Sequence, residues 1–135
     1  MLTEPERQQL VEAAIKAQAA SYSPYSQYAV GAALLTEDGT LYQGANIENA
    51  AYPVSVCAER VAIFKAVNEG HRAFKGIAVV TRDGGSPCGS CRQVLAEFGL
   101  EPTVLIANAA GNIVMEGSVG DILPGAFTPA NLLDD

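Results

Sequence analysis

The chain has 135 residues and a mass of 14.0 kDa, which suits one domain spanning residues 1–135 with a core that buries roughly two thirds of the unfolded surface. Hydrophobic residues make up 49% and charged residues 17%, a balance that excludes a disordered chain. Eight Lys and Arg against fifteen Asp and Glu leave a net charge of −7, so phosphate backbones and anionic lipid surfaces are repelled and neither nucleic acid nor membrane is an expected partner.

Thr3 followed by Glu6 reads as a capping box, and Leu10, Val11, Ala14 and Ile15 recur at helical spacing, which predicts a helix to about Ala20. Pro24 and its small hydroxyl neighbours break it. Tyr28–Thr36 is an apolar run of strand length, and Asp38-Gly39 turns it into Leu41–Ala45 as a hairpin. Asn46–Ser55 is irregular, and Val56–Glu69 resumes helical spacing with Gly70 as its stop. Gly76–Thr81 is a strand whose lack of alternation predicts burial on both faces. After the Arg82–Pro87 loop come a third helix, Gly89–Phe98, and a fourth strand, Thr103–Ala107. Only Asn108–Asn112 separates that strand from Ile113–Glu116, too short for a parallel crossover, so the last two strands pair antiparallel and the five-stranded sheet is mixed. A short helix at Ser118–Leu123 and an irregular tail, Pro124–Asp135, complete an α/β chain.

Three cysteines are an odd number, and the opening Met1–Glu6 has no basic stretch leading into an apolar one. A disulfide framework is therefore not expected, and the cytoplasm is the expected location. Cys57 falls in the first turn of the second helix, and Cys88 and Cys91 form a C-x-x-C at the start of the third. Three thiolates on one zinc ion leave the fourth tetrahedral position to water, the arrangement of a catalytic site; the alternatives are a redox C-x-x-C or inert buried thiols. The third cysteine and Glu59 decide for zinc. A first-turn glutamate ordinarily serves only the helix dipole, but C-x-E with P-C-x-x-C is the pattern of zinc deaminases, in which the glutamate carries protons. Three thiolates and Zn²⁺ sum to −1, which weakens the activation of water. Arg60 and Arg92 are candidates to donate hydrogen bonds to sulfur and withdraw charge, the alternative for each being a surface ion pair. His71, the sole histidine, is expected to face solvent in a loop.

From Tyr22 to Phe127 the chain resembles the cytidine deaminases that act on free nucleosides. The resemblance rests on Tyr22–Leu34, Asn46–Tyr52, Cys57–Arg60, Pro87–Gln93 and Leu123–Phe127. It implies a three-layer fold, one Zn²⁺ per subunit held by Cys57, Cys88 and Cys91, and Glu59 as the proton carrier. By the same resemblance Asn46 and Glu48 bind the ribose hydroxyls, Ala58 gives backbone contacts to the pyrimidine, and Phe127 reaches the site of a neighbouring subunit in a homotetramer. Where the family carries a phenylalanine against the base, Tyr28 keeps the ring and adds a hydroxyl that needs a partner. The expected reaction is hydrolytic deamination of cytidine and 2′-deoxycytidine in pyrimidine salvage. Its rivals are a polynucleotide deaminase, a deaminase of cytosine-bearing antibiotics, and a non-catalytic zinc-stabilised module.

Overall fold

Thr3 starts the first helix through both halves of the capping box: its hydroxyl accepts from the Glu6 amide at 3.2 Å, and the Glu6 carboxylate accepts from the Thr3 amide at 2.9 Å. In this computed structural model, which describes residues 1–133, that helix is α1 (Glu4–Ala17), and a 3-10 turn at Gln18–Ala20 completes the expected span. β1 (Gly31–Thr36) and β2 (Leu41–Ala45) form the expected hairpin. β1 begins later than the apolar run predicts because the Asn46 side chain engages the Val30 amide and the Tyr28 carbonyl, taking both out of the ladder.

α2 (Ala58–Asn68) also begins late, since Val56 pairs with Ile47 in an isolated antiparallel bridge. There follow β3 (Phe74–Thr81), α3 (Gly89–Glu97), β4 (Thr103–Asn108), β5 (Ile113–Ser118) and α4 (Val119–Ile122), whose cap is the Ser118 hydroxyl. The tail is not wholly irregular, for α5 (Ala130–Leu133) forms a single turn with the Asn131 side chain accepting from the Thr128 amide. Residues 134–135 of that tail lie outside the described residues.

The sheet order is β2-β1-β3-β4-β5. β3 and β4 run parallel across the α3 crossover, while β4 and β5 pair antiparallel as their short link requires. Neighbouring residues on each central strand enter opposite cores. Ala33, Leu35, Ala78, Val80, Leu105 and Ala107 pack under Leu10, Val11 and Ala14 of α1. Ala32, Leu34, Ile77, Val79, Val104 and Ile106 pack under Ala62, Ile63, Ala66 and Leu95 of α2 and α3. Burial on both faces is why these strands read as unbroken apolar runs, and it makes three layers.

One contact fixes where α2 starts. A Cβ on Gly44 would lie 2.5 Å from the Ala58 carbonyl oxygen and 2.6 Å from the Ala62 nitrogen, so β2 and α2 meet backbone to backbone.

Candidate metal centre and active-site cavity

Cys57 and Cys88 are the residues that cap α2 and α3, one position earlier than a first-turn placement of Cys57, and Cys91 lies in the first turn of α3. Neither capping cysteine makes a side-chain cap hydrogen bond to its helix backbone. Serine or aspartate there would stabilise each helix by about 1 kcal/mol, so local stability is given up and the sulfurs are not spent on capping. The three Sγ atoms lie within 4.8 Å of one another, with Cys57 and Cys88 4.0 Å apart. Zinc with 2.3 Å bonds to sulfur makes a tetrahedron with edges of about 3.8 Å. The trio therefore fits one face of that tetrahedron, and it is the only such cluster among the described residues.

Charge is arranged around the sulfurs. The neighbouring Cys91 thiol, then the Arg60 guanidinium, bring the Cys57 thiol down to about 5 against its burial, while the proximity of Cys57 and burial push Cys91 up. Arg60 Nη2 donates to Cys57 Sγ at 3.4 Å, and its Nε is buried without another partner, so its charge is directed at sulfur. Glu59 is only 3% exposed, and burial raises its carboxyl above the ordinary range, with the Cys57 thiolate adding to the effect. A raised carboxyl is better placed to pass a proton on, since it holds one more firmly than an ordinary carboxylate.

Glu59, Ala58, Arg60, Cys57 and Cys88 line one cavity of about 390 Å³, together with Tyr28, Asn46 and Glu48. Glu48, 7% exposed, accepts from the Tyr25 amide at 2.9 Å, the Ser26 amide at 3.1 Å and the Ser26 hydroxyl; the hydroxyl bond, then the two amides, hold its carboxyl below the usual range. Asn46 accepts from Val30 and donates to the Tyr28 carbonyl at 2.9 Å, which leaves one amide N–H for a ligand. A fixed carboxylate acceptor beside a fixed amide donor is the equipment that a sugar diol needs.

The zinc-binding region of the cytidine and deoxycytidylate deaminases matches residues 4–107. The chain belongs to that family. It is 52% identical to the cytidine deaminase of Sporosarcina psychrophila over 129 residues, 93% of each chain, and 49% identical to that of Halalkalibacterium halodurans over 132 residues, 96% of this chain and 99% of the relative. The crystal structure of cytidine deaminase from Burkholderia pseudomallei superposes with a TM-score of 0.85 at 44% identity, covering 93% of this chain and all of that one. Zinc is the cofactor of the matched region, and the cysteine trio is positioned to hold such an ion.

Other residues singled out in this deaminase chain fall in four places. Ala58 is fully buried at the start of α2. Arg92 turns away from the sulfurs: it donates to the Pro87 carbonyl at 2.8 Å, the Ile122 carbonyl at 2.7 Å and the Ser86 hydroxyl at 2.6 Å, bracing the loop that delivers Cys88. Phe127 does not line its own chain's cavity and is 57% exposed, with its carbonyl accepting from Gln93 at 2.8 Å. His71 is not free in solvent; its Nδ1 lies 3.7 Å from Asp38 and its ring packs on Tyr42. Sequence reasoning missed Ser26, which holds Glu48, and Asp83, which accepts the Tyr28 hydroxyl hydrogen bond at 2.6 Å. The tyrosine itself signals that an acceptor exists, but nothing in the order of residues says that it comes from 55 positions away.

Proposed function

We propose that this deaminase converts cytidine and 2′-deoxycytidine to uridine and 2′-deoxyuridine with release of ammonia, using Glu59 as its sole proton carrier. The observation that carries the reading is a buried, raised-pKa glutamate beside three convergent sulfurs in a cavity that also presents Asn46 and Glu48. Zinc supplies, when bound, the Lewis acidity that activates the attacking water. Glu59 takes one proton of that water as its oxygen bonds to C4, and delivers it to N3. It then takes the proton of the new C4 hydroxyl and gives it to the amine nitrogen as the C4–N bond breaks, so ammonia leaves and the N3 proton stays with the product. Asn46 and Glu48 hold the ribose hydroxyls, Tyr28 stacks on the base, and Arg60 offsets the sulfur charge.

Free nucleosides are favoured over nucleotides and polynucleotides. Among the described residues Arg60 is the one cation lining the cavity, and it is committed to Cys57, so no cationic side chain there remains to hold a phosphate. The antiparallel β4–β5 pair also departs from the parallel ending of polynucleotide deaminases. A purely structural zinc site takes four protein ligands, whereas this cluster has three.

We further propose a cytoplasmic homotetramer in which Phe127 of one subunit completes the cavity of another. The exposed Phe127 ring and its absence from its own cavity support that placement. No helix among the described residues is long and apolar enough to cross a membrane.

The test is loss of the cytosine absorption band on adding zinc-loaded protein to cytidine, deoxycytidine, cytidine monophosphate or free cytosine. Turnover of the two nucleosides alone is the expected result; turnover of the monophosphate at an equal rate, or of none, overturns the reading.

A further inference from the structure

Tyr28 is held at both ends. Its backbone amide donates to the Ser26 hydroxyl at 3.1 Å, and its carbonyl accepts from Asn46. Its phenolic hydroxyl donates at 2.6 Å to Asp83 Oδ1, which also accepts from the Thr81 hydroxyl at 3.2 Å. Thr81 is buried, 2% exposed, and its oxygen accepts in turn from the Gly84 and Gly85 amides at 2.8 and 2.7 Å. One donor and two acceptors exhaust a hydroxyl, so Thr81 fixes Asp83 and has nothing left for a ligand. The loop closes tightly on the ring: a Cβ on Gly85 would lie 2.6 Å from the Tyr28 oxygen. The Arg82 guanidinium stands over the same ring, 4.9 Å from its centroid, and is not among the cavity-lining residues.

We propose that Asp83 is a positioning residue for substrate binding: by accepting the Tyr28 hydroxyl hydrogen bond it sets the tilt of the ring on which the pyrimidine stacks. The proposal rests on the cavity's taking a cytosine nucleoside. A phenyl ring in that place is oriented by packing alone, whereas the tyrosine is pinned by its far tip to a carboxylate that Thr81 already holds. The pinned ring adds to affinity for the base, because its orientation is settled before the substrate arrives.

Four zinc-loaded proteins test this, with KM and kcat for cytidine and zinc content measured for each. Asp83→Leu is expected to raise KM about five- to tenfold, part of what a base–aromatic stack contributes, with kcat within about twofold and zinc retained. Asp83→Asn, whose amide oxygen still accepts from the phenol, stays within about twofold of wild type in KM. Tyr28→Phe raises KM as Asp83→Leu does, and the double variant Tyr28→Phe/Asp83→Leu is no worse than either single. An unchanged KM in Asp83→Leu, multiplying effects in the double variant, or a loss confined to kcat and zinc content overturns the proposal; the last outcome makes Asp83 an anchor for the Cys88 loop alone. Should Asp83→Leu fail to fold, Tyr28→Phe against Asp83→Asn carries the same comparison.

A slowly exchanging Tyr28 hydroxyl proton, sought by NMR without nucleoside, is expected in wild type and Asp83→Asn and lost in Tyr28→Phe and Asp83→Leu. Its absence from wild type overturns the pinning whatever the substrate. Its presence in a protein that leaves cytidine unchanged overturns the deaminase reading instead, and the positioning role with it.

Discussion

Gly44→Ala tests whether the contact between β2 and α2 sets the position of the reactive groups. The new Cβ would stand 2.5 Å from the Ala58 carbonyl oxygen, where ordinary contact begins at 3.4 Å, and 2.6 Å from the Ala62 nitrogen. Both obstacles are helix backbone, so α2 must retreat by about 0.9 Å rather than swing a side chain aside. Ala58 lies between Cys57 and Glu59, so the retreat is applied directly to one metal ligand and to the proton carrier. Overpacking of this kind costs about 1–3 kcal/mol, or a fall in Tm of about 3–10 °C for a chain of this size. A displacement approaching 1 Å costs about 10–100-fold in kcat. Thermal unfolding and cytidine turnover, both on zinc-loaded protein, read the two effects. A variant with wild-type Tm and wild-type kcat would show that the helix start has slack, and the inference that Gly44 places the site would be wrong.

Further outcomes follow from the same geometry. Glu59→Gln is expected to keep zinc and lose at least about a hundredfold in kcat; near-full turnover with intact metal content would remove Glu59 from its role. Arg60→Gln leaves the Cys57 sulfur uncompensated and should lower zinc affinity or kcat by about 10–100-fold, as competition with a chelator and turnover will report; no change in either sinks the charge argument. Glu48 titrates below its ordinary value of 4.5 when folded, chiefly through the Ser26 hydroxyl, so the unfolded chain binds that proton more tightly. Its stabilisation is therefore complete above the unfolded pKa and lost as pH falls through the folded one. The Tm gap between wild type and Glu48→Gln should be widest near neutrality and close in acid; a gap independent of pH contradicts the assignment.

Much of this architecture was legible because burial on two faces leaves a plain mark. Ala32 to Leu35 and Ile77 to Val80 are runs that only a sheet covered on both sides requires, and the Asn108–Asn112 link dictates antiparallel closure. Element starts were less legible, since tertiary bonds set them: Asn46 removes Tyr28–Val30 from β1, and the Ile47 bridge keeps Val56 out of α2. At the centre, cysteine spacing and Glu59 were sufficient to anticipate the sulfur cluster. The two arginines looked alike in the sequence because each follows a helix start, yet only Arg60 points at sulfur, while Arg92 finds three oxygens in the loop and at the end of α4. Asp83 and Ser26 were invisible, as hydrogen-bond partners distant in the chain leave no periodic trace.

Cys57 and Cys88 stand 31 positions apart, with all of α2 and β3 between them. An ion gripping both is thus also a removable staple across the middle of the chain, and closing a loop of that length takes roughly 3–4 kcal/mol of freedom from the unfolded ensemble. Reactivity and rigidity consequently arrive together in one binding event. A cell short of the metal would hold protein that is at once idle and loosened, and so open to proteolytic removal.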